Sequence, residues 1–510
     1  MQWLNIIVDK LIKLHPEGEI IVSSGVSPSG AYHLGTFREV LTAEAIAIEI
    51  RKRNRSARHL HIVDDLDVFR KVPVNLPESY AEYIGVPLCD IPAPDGSDQS
   101  YADFFLQDLL LALKRMKLSV EIVRAHEKYR GGFYAPAIEL ALGSVNEIRE
   151  ILEYVSGRTL DEHWFPVQVL EEGHLKNREF KGIDKQNKTI EYLDKNNNLA
   201  TANYARGEVK LNWRIDWPSR WWLLNVHAEP FGRDHATKGG SYDTGKEIAS
   251  KVFNIEAPIP IPYAFINRAG ETKKMSKSAG NVVTVTDLLE IMPCEIIWFF
   301  ILRYSPDKQL FFGEGETLLH LFDEFAELLA KSEKTDQERQ LLSICLGSVD
   351  KPTVSQVPFS HLVASYQAAL KDPDKTLQII GRTEYANVVN TEAETITTEL
   401  RFIDKWLEKW APSDVKFALL QNVNEAEYSE VDKKFFNELA GKIANAPDNA
   451  DGAWFHKTIY ELKDSLGLEP QQMFSALYKL IIGQSSGPRA GWFLSILPRE
   501  WLINRLNMQS

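Results

Sequence analysis

The chain has 510 residues, 44% of them hydrophobic and 25% charged, with a net charge of −13. These are the proportions of an ordinary soluble protein of about two to four domains. The acidic balance argues against adhesion to membranes and against indiscriminate coating of DNA, although a local basic path can still meet a nucleic acid.

The first residues, "MQWLNIIVDKLIKLHPEGE", read as an amphipathic helix. Asp9 and Lys10 interrupt its apolar run, which makes it a poor signal peptide. No apolar stretch reaches about 18 residues, so no membrane span is expected. "EIIVSSG" then reads as a buried strand, "SPSGAYHLG" as a turn-rich loop and "TFREVLTAEAIAIEIRKRN" as a long helix. "ARHLHIVDD" reads as a second strand ending in carboxylates. This strand-loop-helix-strand order implies a parallel sheet, with ligands beyond the carboxyl ends of its strands.

A long insertion is expected between about residues 85 and 205, with a small β subdomain in its turn-rich second half. "WWLLNVHAEPFGRDH" reads as a returning strand and polar loop, "GGSYDTGKEIASKVF" as the start of a helix and "PIPIPYAFI" as a further strand. Beyond about Asn281 the pattern turns helical, ending in "AWFHKTIYELKDSLGL" and "PQQMFSALYKLIIGQ". Cys89, Cys294 and Cys345 are far apart and odd in number, so neither a disulfide framework nor a CxxC zinc pair is expected. A reducing cytosol fits.

Three short stretches bear chemistry. "ETKKMSKSAGN" contains Lys274, Met275, Ser276, Lys277 and Ser278. Two lysines three residues apart on a loop can set ammonium groups against a triphosphate, although a solvated basic loop has the same composition. Pro28, Ser29, Gly30, His33, Gly35 and Thr36 surround the start of the first long helix. There His33 can donate to a phosphate, and Gly35 lets the backbone come close to a nucleotide. Gly232-Arg233-Asp234-His235 ends a strand, where an acid commonly takes ribose hydroxyls or an ammonium. Each is only suggestive alone.

Together, and in this order, "HLG", "GRDH" and "KMSKS" resemble the motif order of the class I aminoacyl-tRNA synthetases. "SSGVSPSGAYHLGTFREV", "DDLDVFRKVP", "KLNWRIDWPSRW", "EPFGRDHATKGGSYDTGKEI" and "GPRAGWFLSIL" resemble the class I lysyl-tRNA synthetases over nearly the whole chain. The resemblance implies a Rossmann-like α/β catalytic domain over 1–285 that carries the insertion. A stem-contact region over 286–355 and an all-α anticodon-binding domain over 356–510 follow.

It also implies the reaction. Lysine and ATP give lysyl-adenylate and pyrophosphate, and lysine then passes to the 3′ end of tRNA(Lys). The resemblance makes His33, Lys274 and Lys277 the catalytic groups. It gives ATP to Pro28, Ser29, Gly30, Gly35, Thr36, Asp234, Met275, Ser276 and Ser278. L-lysine falls to Gly25, Ser27, Trp213, His235 and Tyr263. Mg2+ is expected with the ATP. Residues 165–215 contain no cysteine, so the paired zinc ligands common in this family are missing and no zinc is expected. A cytoplasmic monomer with no membrane or DNA partner is expected. Two other readings stay open: a paralogue that activates lysine or a related amine for an acceptor other than tRNA, and a non-catalytic tRNA-binding module.

Overall fold

The computed structural model describes residues 1–157, 159–270, 284–413, 415–447 and 450–509. The chain divides into two compact units. One comprises Met1–Leu289, Trp298–Phe312 and Asp336–Ser348, the other Glu290–Ile297, Gly313–Thr335 and Val349–Ser510.

The first unit is built on five parallel strands: β1 (Ile20–Val26), β2 (Ala57–Val63), β3 (Val120–Arg124), β4 (Ala228–Gly232) and β5 (Ile259–Tyr263). Their order across the sheet is β5-β4-β1-β2-β3. It reverses between β1 and β4, the switch point of a doubly wound Rossmann-like sheet. β1 and β2 pair along seven residues, from Ile20↔Ala57 to Val26↔Val63. β1 and β4 share only Val22↔Ala228, so this seam is loose. β5 contains Pro260 and Pro262, which cannot donate to a ladder. Ile259 N donates to His227 O across the β4 seam, so these prolines, of opposite parity, fall on the open edge of the sheet.

One helix assignment differs from the sequence reading. "WWLL" does not begin a strand; it completes a helix over Trp213–Leu223, and β4 starts only at Ala228. Trp213, Trp217 and Trp221 recur every four residues and therefore share one helix face. After β3 the chain makes the helices Ala125–Arg130, Ala135–Gly143 and Val145–Ser156. Two small antiparallel sheets follow, each of three strands, between Val167 and Leu211. The alternating segments expected there are thus strands.

The second unit is helical among the described residues. Its C-terminal part packs Glu430–Ala444, Gly452–Leu466, Pro470–Ile482, Ala490–Ile496 and Arg499–Leu506. Phe435, Phe436, Leu439, Ile459, Leu477, Ile481 and Phe493 fill the core between them. Trp406 is fully buried and donates its indole N–H to Glu314 O. Among the described residues no helix is long and apolar enough to cross a membrane.

Within the first unit, the helix Leu34–Lys52 connects β1 to β2 and carries a buried arginine. Arg38 donates to three carbonyls: Ala264 at 2.5 Å, Pro306 at 2.9 Å and Lys308 at 2.9 Å. This ties the exit of β5 to the helix. Burial pulls the guanidinium down to about 10, yet it stays charged at neutral pH. Arg38→Met strands three carbonyl acceptors and is expected to cost about 3 kcal/mol. A urea melt checks this; an unchanged midpoint would contradict it.

Candidate active site

The loop after β1 leads into the helix Leu34–Lys52, whose N-cap is His33. The His33 ring Nδ1 accepts from Gly35 N at 3.0 Å and Thr36 N at 3.3 Å. A neutral ring held this way carries its hydrogen on Nε2, where it is a donor. The Thr36 hydroxyl completes the cap: it donates to His33 O at 2.7 Å and accepts from His33 N at 3.0 Å. Gly35 has a local reason to be glycine. A Cβ there would lie 2.8 Å from His33 Cε1. Gly35 therefore makes room for the histidine cap at the helix N-terminus.

Residues 271–283, with Lys274, Met275, Ser276, Lys277 and Ser278, lie outside the described residues. The chain re-enters the described structure at Thr284, which forms an antiparallel bridge with His33. Val285 N then donates to Tyr32 O at 3.1 Å. Thr284 and Val285 are thus stitched to the start of the histidine motif.

Across the switch point sits a side chain that the sequence reading missed. Glu39 lies four residues beyond Gly35, on the same face of the helix. Its Oε1 accepts from Gly25 N at 2.7 Å and its Oε2 from Tyr263 Oη at 2.7 Å. One carboxyl group therefore joins the ends of β1 and β5. Burial, with smaller contributions from the neighbouring Glu229 and Asp234, pushes its pKa up to about 8 against these two donors. Burial and Glu39 likewise push the Tyr263 hydroxyl well above its ordinary range. Three acids, Glu39, Glu229 and Asp234, thus share one region.

Glu229 is buried on β4 and accepts from the indoles of Trp217 at 3.1 Å and Trp221 at 2.6 Å. Burial raises its pKa. Trp213 stacks on Trp217 with ring centres 5.3 Å apart, and His235 lies 6.1 Å from Trp213 and 5.5 Å from Trp217. Trp213 is 39% exposed, so its outer surface is not core packing. Beneath it the Arg220 guanidinium lies 5.7 Å from its ring centre. Arg220 pairs with Asp216 and, at 2.7 Å, with Asp64 at the end of β2. Lys210 lies 3.5 Å from Asp64 and 3.3 Å from Asp216. Two buried cations and two buried anions balance.

The remaining residues divide plainly. Gly25, Tyr263 and Asp234 gather around Glu39; Trp213 and His235 form an adjoining aromatic wall. The Ser27 hydroxyl is buried with no hydrogen-bond partner among the described residues. Pro28, Ser29 and Gly30 form the loop before His33. Ser29 is exposed, and its carbonyl accepts from Tyr101 Oη at 3.1 Å. Glu39, Glu229 and Trp217 were not singled out from the sequence. The one legible signal was the spacing of Glu39 from Gly35.

The buried ion network has a testable cost. Burial disfavours the Asp64 carboxylate, but Arg220 and Lys210 outweigh it and hold its pKa at about 2, below the ordinary 3.8. The stability this group contributes is complete above its ordinary value and lost as pH falls through about 2. Asp64→Asn leaves a surplus buried cation and is expected to cost about 3 kcal/mol in urea melts at pH 7. At pH 2 the gap between variant and wild type should narrow. An equal gap at both pH values would contradict the account.

Similarity to known proteins supplies the family. The family model described as tRNA synthetases class I (K) matches residues 1–346. The chain is 36% identical to lysine–tRNA ligase 1 of Methanosarcina acetivorans, over 100% of this chain and 98% of that protein. It is 36% identical to the lysine–tRNA ligase of Archaeoglobus fulgidus, over 99% of each. Identity to the lysine–tRNA ligase of Pyrococcus horikoshii is 33%, over 100% of both. With these relatives matched along its whole length, and with a doubly wound sheet carrying its histidine motif at the switch point, the chain belongs to the class I tRNA synthetases for lysine.

Proposed function

We infer that the protein is a lysine–tRNA ligase. It activates L-lysine with ATP and passes it to the 3′-terminal adenosine of tRNA(Lys). The observation that carries the choice of substrate is the acidic pocket at the switch point. Glu39, with its pKa near 8, sits beside Glu229 and Asp234, and Glu229 is held by the indole of Trp217, on which the partly exposed Trp213 stacks. Such a site is unfavourable for its own charges until a cation arrives. Lysine brings two.

In this reading an ammonium group of lysine binds the Glu39 carboxylate, and the carboxyl proton is released to solvent. Trp213 and His235 flank the alkyl stem, where an indole face can add about 0.5–2 kcal/mol of cation–π attraction. The Ser27 hydroxyl and the Gly25 backbone line the same pocket. The lysine carboxylate attacks the α-phosphorus of ATP in line, and pyrophosphate leaves. Negative charge grows on phosphate oxygens, so catalysis is positioning and charge stabilisation. His33 donates from Nε2 to a phosphate oxygen. Lys274 and Lys277 are assigned to the same charge, supported by the pairing of Thr284 with His33. Asp234 takes a ribose hydroxyl or an ammonium, and Mg2+ enters with the nucleotide.

The test is lysine-dependent exchange of pyrophosphate into ATP, followed by charging of a tRNA(Lys) transcript. Both are expected. Exchange without charging would favour the paralogue with another acceptor, and no exchange with any amino acid would contradict the enzyme reading. Two further outcomes follow from Glu39. Glu39→Gln should raise the KM for lysine about tenfold or more, by removing a charged hydrogen-bond partner. A carboxyl raised to about 8 is neutral below that value and ionised above it. Wild-type kcat/KM for lysine should therefore rise from pH 6 to pH 8, and Glu39→Gln should be flat over that interval. A flat wild-type profile would remove Glu39 from the binding site.

A further inference from the structure

Passing lysine to tRNA needs a base. A ribose hydroxyl attacks an acyl carbon in that step, and its proton must be accepted as the new bond forms. Other histidines near the strand ends are engaged elsewhere. The His33 ring accepts two backbone amides at Nδ1, and its other nitrogen is assigned to phosphate. His59 and His61 both lie against the Ser24 hydroxyl.

His126 is placed and oriented for the task. Val26 pairs with Val63, and Val63 with Arg124, so β1, β2 and β3 end level with one another. Asp65 follows the end of β2 by two residues, and His126 follows the end of β3 by two. Both stand at the carboxyl edge, where ligands of such sheets bind. Two strand spacings, about 10 Å, separate the end of β3 from that of β1. Ser27, in the lysine pocket, is the residue after Val26.

Asp65 is fully buried, and its carboxylate meets three donors. Oδ2 accepts from Arg124 Nε at 2.5 Å, Oδ1 accepts from His126 N at 2.8 Å, and the His126 ring Nδ1 lies 2.7 Å from Oδ2. Arg124 also pairs with Asp103 at 2.7 Å. A carboxylate only accepts, so the ring carries a hydrogen on Nδ1, and in its neutral form it offers the Nε2 lone pair. Nε2 makes no hydrogen bond among the described residues, and the side chain is 20% exposed. Arg124 ties β3 to β2 without the ring; what the ring contact adds is orientation. Burial raises the Tyr32 hydroxyl above its ordinary range, and the charges that act on it belong to Arg124, Asp65 and Glu39. The Asp65–His126 pair and the lysine-binding carboxyl thus share one neighbourhood.

We propose that His126, oriented by Asp65, is the base of the transfer step. The proposal rests on the reading of the protein as a tRNA-charging enzyme and assigns a group to its second half-reaction. A ribose hydroxyl oxygen of the 3′-terminal adenosine forms the ester bond to the lysyl carbonyl carbon. The bond from that carbon to the AMP oxygen breaks, and AMP leaves with the electron pair. The hydroxyl proton goes to His126 Nε2. The imidazolium so formed sits against the Asp65 carboxylate until it gives the proton to water.

The test reads the two half-reactions separately in the full-length protein, His126→Ala and His126→Gln, with thermal melts to confirm folding. Lysine-dependent pyrophosphate exchange reads activation. Mixing preformed enzyme-bound lysyl-adenylate with saturating tRNA(Lys) transcript reads transfer. Both variants are expected to keep exchange within about twofold and to slow transfer about a hundredfold, and added imidazole should restore part of the loss in His126→Ala. Glutamine can still donate toward Asp65 but cannot take a proton, so normal transfer in His126→Gln would reduce the ring to a strut and overturn the proposal. Normal transfer in His126→Ala would overturn it as well. So would a loss of exchange equal to the loss of transfer, or a slow His126→Ala that imidazole leaves unchanged. A wild type with neither lysine-dependent exchange nor charging would instead remove the underlying reading, and the proposal with it.

Discussion

The candidate site depends on one carboxyl group held between two donors. Glu39 accepts from the backbone at the end of β1 and from the hydroxyl at the end of β5. β4 lies between those strands in the sheet and pairs with β1 at a single position. The crevice is therefore spanned by a side chain rather than closed by a backbone ladder. A carboxyl so placed is costly to ionise, because burial removes its water and two other acids lie nearby. The cost makes it selective: the group gains most from a ligand that brings positive charge.

The surrounding structure keeps that group in place. Arg38, next to it on the helix, grips the carbonyl of Ala264, one residue beyond Tyr263. Behind Gly25, the Ser24 hydroxyl lies 2.7 Å from both His59 Nε2 and His61 Nδ1, and His59 Nδ1 lies 3.0 Å from Glu44. These buried contacts fix the end of β1 from its other side. The tryptophan face of the helix Trp213–Leu223 is pinned twice, by Glu229 through its indoles and by the Asp64–Arg220–Asp216 pairs beneath. Satisfied polar networks of this kind hold a geometry that apolar packing alone leaves looser.

Much of this was legible in the sequence, for reasons that are local. The first strand, helix and second strand follow from periodicity. The histidine at the helix start follows from its motif, and the positions of Gly25, Asp234 and Tyr263 from the family pattern. "WWLL" was misread because tryptophan and leucine favour strands as readily as buried helices. The four-residue recurrence of Trp213, Trp217 and Trp221 was the better signal. Glu39 was missed because its meaning is not local. Nothing in "FREV" shows that a glutamate will meet a backbone amide and a tyrosine from two distant strands.

The measurement that bears most directly on the central claim is the proton balance of lysine binding. Calorimetric titration of L-lysine into the protein at pH 7, in buffers of different ionisation enthalpy, reads the number of protons exchanged. A carboxyl with its pKa near 8 is mostly protonated at pH 7 and must ionise to hold an ammonium. Release of nearly one proton on binding, absent in Glu39→Gln, is the predicted result. Tight binding of lysine with no proton released would contradict the account.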